Sequence, residues 1–178
     1  MNGINLSNLA KLTEKMKATP STGHTAFAAT LEWKDSTRND LLVRSFDPVT
    51  VDEPEEMGGT DKGANPGELL LAAVGGCFTI TFELAIASAG IKLNALQTVV
   101  EGFVEMANVF GITSGAREMQ GIKITLKVDA DADFEKITEI AFNSAKSSPI
   151  TSPTVFPSTR LIPTSMTVAP SFTMSAVT

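Results

Sequence analysis

The sequence predicts an α+β domain in which antiparallel strands gather round one long buried helix. Residues 65–91, NPGELLLAAVGGCFTITFELAIASAGI, open with a helix start and close with a helix stop, with apolar side chains on every side between. Stretches of alternating polarity lie before and after that helix, and a second helical stretch follows them. The resulting order is strands, long helix, strands, helix, strand. It does not make each helix the crossover between adjacent parallel strands, as a doubly wound sheet requires, so antiparallel pairing is expected.

Composition narrows the function. The chain has 178 residues, enough for one domain with a real core. Residues 1–20 are read as an amphipathic N-terminal arm and residues 21–178 as a single domain. A net charge of −6 argues against nucleic acid, which calls for a basic face, and against an anionic membrane surface. Residues 1–20 lack a basic segment followed by an apolar run and a cleavage site, so a cytoplasmic location is expected. A single cysteine, Cys77, excludes a disulfide within the chain, and a single histidine, His24, excludes a multi-histidine metal site. No metal and no cofactor are expected.

Taken in order, residues 6–16 carry Leu6, Leu9, Leu12 and Met16 at helical spacing, and Pro20 ends that helix. Residues 24–33 alternate as a strand, with Phe27, Ala29 and Leu31 on one face. A polar turn over residues 35–40 leads to a second strand over residues 41–46, and residues 49–51 form a short third one. The acidic cluster of residues 52–56 reads as a solvated loop. Residues 58–63, Gly-Gly-Thr-Asp-Lys-Gly, resemble a phosphate loop only faintly. They lack the Lys-Ser/Thr pair after the last glycine and serve as a lead-in to the helix.

At the helix start Asn65 is the cap, Pro66 has the preset φ of the first position, and Glu68 reaches back as in a capping box. Gly90 marks the end. The uncharged run, residues 69–82, falls short of the roughly 20 residues that a bilayer core demands, so the helix is read as buried in protein. Cys77 follows Gly75 and Gly76 in its middle, either as a space-filling core thiol or as a reactive one.

Beyond the helix, residues 93–108 are strand-like in parts, residues 110–116 turn, and residues 120–128 alternate with Ile122, Ile124, Leu126 and Val128 inward. Residues 129–133 fail as a calcium loop, because the sixth position is Phe134 and the twelfth Ile140. Asp131 or Asp133 caps a helix carrying Phe134, Ile137, Ile140, Ala141 and Ala145, which stops before Pro149. Residues 159–168 supply a last strand, which Pro163 confines to an edge or a bulge. The final residues fray or extend across a partner.

With these residues in hand the chain resembles the OsmC/Ohr family of osmotically inducible and organic-hydroperoxide-resistance proteins. The likeness is carried by the glycine lead-in from Gly58, the Asn65-Pro66 helix start, Cys77 at the family spacing from that proline, the Ala87-Ser88-Ala89-Gly90-Ile91 continuation, and the later helix ending in Ser148-Pro149. It runs from about residue 24 to residue 168. It implies an OsmC-like fold: a curved antiparallel sheet round a long central helix, in an intertwined homodimer with its thiol sites at the subunit interface. It also implies thiol-dependent reduction of organic hydroperoxides by Cys77, with an arginine from the N-terminal region stabilising the thiolate. Arg44 is favoured over Arg38 for that role, and Glu68 is the candidate to hold the arginine.

The chain departs from the family pattern at two named positions. Family peroxidases have a second cysteine where Ser148 stands, and Ser148 cannot form a disulfide with Cys77. They also have a glutamate directly after Asn-Pro, where this chain has Gly67. Glu68 comes one residue later, about 100° further round the helix. Two readings remain open. One is a one-cysteine peroxidase restored by an external thiol reductant. The other is a non-catalytic dimer binding an apolar small molecule at its interface, with Cys77 inert or a redox sensor.

Overall fold

The computed structural model describes residues 1–151, together with the backbone of residues 159–164 and 171–176. Its contacts divide the chain into two compact units, Ser7–Leu70 and Leu71–Thr178, the second also holding Met1–Leu6. The architecture is α+β with antiparallel sheets.

The first unit begins with α1 (Leu6–Ala18), whose last turn carries Lys15 and Lys17, favourable at the negative end of the helix dipole. A short 3-10 turn, Pro20–Gly23, follows. Three strands, β1 (Thr30–Asp35), β2 (Arg38–Leu42) and β3 (Val49–Val51), form a sheet in that order with antiparallel neighbours. The expected strand over residues 24–33 starts later, because β2 ends at Leu42 and Leu42 pairs with Thr30. The polar turn is also shorter than residues 35–40. It is made at Ser36 and Thr37, with Ser36 in the left-handed region at φ 47°, so Arg38, Asn39 and Asp40 belong to β2 rather than to the loop.

Most of α2 (Pro66–Ser88), from Leu71 on, belongs to the second unit, and the helix starts and stops where its capping residues predict. Gly90, at φ 73°, takes the left-handed turn that ends it. Val74, Phe78, Phe82 and Ile86, each four residues after the last, form its buried stripe. By length and composition this helix would span a bilayer, yet the stripe is packed in a core with β5 and α4.

Around it run β4 (Leu93–Phe103), β5 (Gln120–Ala130), α4 (Phe134–Ser147), β6 (Thr159–Thr164) and β7 (Ser171–Ala176). The sheet order is β4-β5-β7-β6, antiparallel throughout. Ile124, Leu126 and Val128 of β5 and Ile137, Ile140, Ala141 and Ala145 of α4 close the core. Asp133 caps α4 by accepting the Lys136 N–H at 2.8 Å. β6 is an edge strand, one of the two places to which Pro163 confines it. β7 has no counterpart in the sequence reading, and residues 165–168 of the expected last strand lie outside the described residues.

The strand-like stretch of residues 93–108 is corrected at its end. A single helical turn, α3 (Met106–Val109), replaces the last residues of the strand. Asn108 is buried there, accepting from the Thr113 hydroxyl and donating to the Ala116 carbonyl at 2.9 Å, so its polar side chain closes a loop instead of extending a sheet.

Candidate active site around Cys77

Cys77 lies about three turns into α2. Gly75 lets that part of the helix approach β4: a Cβ there would come 2.8 Å from Val100 Cγ2. The Thr79 hydroxyl donates to the Gly75 carbonyl at 2.7 Å and sits 2.6 Å from the Thr98 hydroxyl, tying α2 to the same strand. Gly76 has nothing within 4 Å of where its Cβ would be, so the helix flank beside Cys77 is open in the single chain. Cys77 is a free cysteine and, as a residue, partly exposed.

The second side chain at the site is Ser148. Its hydroxyl donates to Cys77 Sγ at 3.1 Å. Pro149 disfavours helical geometry at the residue before it. Ser148 accordingly leaves the helix as the C-cap of α4, at φ −67° and ψ 123°, with its N–H on the Ser144 carbonyl. The Thr151 hydroxyl donates to the Ala145 carbonyl at 3.2 Å and closes the turn. Ser148 is fully buried, and so is Ser144, whose own hydroxyl finds no hydrogen-bond partner among the described residues.

Of the residues singled out in the sequence, Cys77 and Ser148 are brought together. Glu68 makes the capping box at the start of α2: its carboxylate accepts the Asn65 N–H, and Asn65 Oδ1 accepts the Glu68 N–H, both at 2.9 Å. Arg44 is exposed in the first unit, at φ 53°, with its guanidinium 4.5 Å from the centre of the Phe46 ring. Arg38 pairs with Asp35 in the same unit at 3.3 Å. Among the described residues no three of His, Cys, Asp and Glu gather as a metal site would require.

Asp52 is a residue whose role the sequence concealed. Read as part of a solvated acidic loop, it is instead 1% exposed. Its carboxylate accepts the Thr37 and Thr60 hydroxyls, each at 2.6 Å, and the N–H groups of Glu53, Thr60 and Lys62. These bonds hold its pKa well below the usual carboxylate range, the Thr37 hydroxyl contributing most. The loop that faintly suggested a phosphate cradle does converge on an anion, and the anion is the chain's own carboxylate. Gly59 and Gly63 permit this, because a Cβ at either would collide with the backbone of Glu53 or Thr50.

The model of the OsmC-like protein family matches residues 59–154, more than half of the chain and including both Cys77 and Ser148. The chain belongs to the OsmC-like family. A relative in Bacillus subtilis, the uncharacterized protein YmaD, is 30% identical over 113 residues, covering 62% of this chain and 74% of its own. The crystal structure of an OsmC-like protein from Mycoplasma pneumoniae superposes with a TM-score of 0.62 at 20% identity, over 71% of this chain and 85% of that one. An organic hydroperoxide resistance protein from Elizabethkingia anophelis gives a TM-score of 0.57 at 18% identity, over 72% and 86% of the two chains. At such identities these structures establish the OsmC-like fold.

Proposed function

We propose that the protein reduces organic hydroperoxides through Cys77, with an external thiol as the reductant. The observation that carries this reading is the partly exposed Cys77 on the central helix of the OsmC-like segment, with a buried hydroxyl donating to its sulfur. The name of the Elizabethkingia anophelis protein, which shares the fold, points to the same class of substrate.

In the first step the Cys77 thiolate attacks the O–O bond. An S–O bond forms, the O–O bond breaks, and the electron pair leaves with the alkoxide, which takes a proton and departs as the alcohol. Sulfur is oxidised to the sulfenic acid as the peroxide is reduced. With Ser148 where a second thiol would be needed, a first external thiol then displaces water from the sulfenic sulfur, giving a mixed disulfide. A second thiol attacks that disulfide and returns Cys77 to the thiol. Two external thiols are consumed for each hydroperoxide.

The same reading takes the working protein as a homodimer. In the single chain Ile80 of α2 is 57% exposed and Trp33 of β1 is 69% exposed, apolar surface that a second copy would cover. Light scattering should then report twice the chain mass of 18.8 kDa.

The deciding experiment supplies cumene hydroperoxide and dithiothreitol and follows loss of peroxide, with a mass spectrum taken after brief exposure in the absence of reductant. Peroxide consumption and one added oxygen on Cys77 are expected. No consumption and an unmodified sulfur would sink this reading in favour of the dimer that only binds an apolar molecule.

A further inference from the structure

We propose that Ser148 is a positioning residue for the Cys77 sulfur: its hydroxyl, fixed at the C-cap of α4, holds that sulfur in one orientation. The inference rests on the reading of Cys77 as the nucleophile, but its test needs no peroxide turnover.

Three observations carry it. Ser148 is fully buried, so its hydroxyl cannot turn to bulk water, and it donates to Cys77 Sγ at 3.1 Å. Second, the backbone that carries Ser148 is fixed: its N–H donates to the Ser144 carbonyl, and the Thr151 hydroxyl donates to the Ala145 carbonyl. Third, the basic residue of the last turn of α4, Lys146, is placed 3.9 Å from the centre of the Phe142 ring. Among the described residues the hydrogen bond to Cys77 Sγ comes from Ser148.

Ser148 also sets the fate of the oxidised sulfur. A serine oxygen seated where a thiol would close a disulfide leaves the sulfenic acid for a reductant from outside.

The test measures alkylation of Cys77 by iodoacetamide from about pH 5 to about pH 10, a range that brackets an ordinary thiol's titration. Ser148→Ala is expected to slow alkylation about tenfold throughout this range, because the sulfur is no longer held in one orientation. Ser148→Thr, which keeps the hydroxyl, should recover most of the rate. Ser144→Ala removes a hydroxyl from the same helix that bonds to nothing among the described residues, and should leave the profile unchanged. Identical profiles for wild type and Ser148→Ala would overturn the proposal.

If Ser148→Ala does not fold, Ser148→Cys decides. Diamide takes two electrons and two protons from a pair of adjacent thiols and becomes the hydrazine. It should close a disulfide between the introduced thiol and Cys77, read as the loss of both free thiols. Two thiols that stay free would overturn the contact. A Ser148 effect on alkylation in a protein that consumes no hydroperoxide would leave this inference standing and remove only the peroxidase reading.

Discussion

The Ser148 hydroxyl and the Cys77 sulfur, 71 residues apart in sequence, meet at 3.1 Å, one side chain buried and the other partly open to solvent. The proposed hydroperoxide chemistry needs that sulfur. Cys77→Ser should bring hydroperoxide consumption down to the rate of buffer and reductant alone. The introduced hydroxyl can still bond to Ser148, so the denaturation midpoint should move by no more than about 1 kcal/mol in stability. Peroxide loss and urea denaturation of the same sample check both halves.

Asp52 contributes a pH-dependent share of the first unit's stability. Its folded-state pKa is held low by the Thr37 and Thr60 hydroxyls and three backbone N–H groups, while in the unfolded chain it titrates near an ordinary carboxylate value of about 4. Its contribution to stability is therefore complete above that value and is lost as pH falls below it. Asp52→Asn turns an amide donor toward N–H groups and should lower the midpoint at pH 7. The gap between variant and wild type should narrow as the pH is taken to about 3. Urea midpoints at the two pH values test this, and a gap that widened in acid would contradict it.

The same residue shows why part of the structure was legible in the sequence and part was not. The bounds of α2 are local: Asn65, Glu68 and Gly90 act within one turn of themselves, so the residue types alone declare them. The spacing of Ile124, Leu126 and Val128 likewise declares β5 without reference to any partner. Asp52 reads as a solvated charge because nothing near it in sequence reveals that Thr37 and Thr60 converge on it. The start of β1 depends on where β2 runs out of partners, and the burial of Asn108 depends on Ala116, eight residues on. Ser148 stands out in the sequence only through the family resemblance. Its distance from Cys77 is not legible there, because that is fixed by how α4 packs on α2.

Two adjacent glycines should respond in opposite directions to the same substitution. In Gly75→Ala the better helix propensity of alanine, about 1 kcal/mol, competes with overpacking of about 1–3 kcal/mol. The new methyl would meet Val100 Cγ2 at 2.8 Å, and a β-branched side chain has little freedom to swing away. The clash wins, and the protein loses stability. Gly76→Ala meets nothing within 4 Å in the chain and gains the propensity alone. Paired denaturation curves read the signs. A loss at Gly76 would place that open flank against another subunit.

Ser144 carries a buried hydroxyl with no hydrogen-bond partner among the described residues. Such a group loses its water without replacement, which costs on the order of 1–3 kcal/mol. Ser144→Ala removes the hydroxyl without adding volume and places a better helix former within α4. A gain of about 1 kcal/mol is expected, measured as an increase in the urea midpoint with an unchanged slope.

Glu68 offers a clean separation of capping from catalysis, because the capping box accepts glutamine as well as glutamate. Its carboxylate accepts the Asn65 N–H, and the reciprocal bond runs from the Glu68 N–H to Asn65 Oδ1. If that is its whole task, Glu68→Gln keeps both the stability and the rate of hydroperoxide consumption, while Glu68→Ala costs about 0.5–1 kcal/mol of stability and leaves the rate alone. Asn65→Ala, which removes the other half of the box, should cost about 1 kcal/mol. The double variant should cost less than the two single losses added together, because each side chain orders the other. If the carboxylate instead holds an arginine for the Cys77 thiolate, Glu68→Gln loses its rate while keeping its stability. Rate and denaturation midpoint measured on the same Glu68→Gln sample therefore separate the two roles.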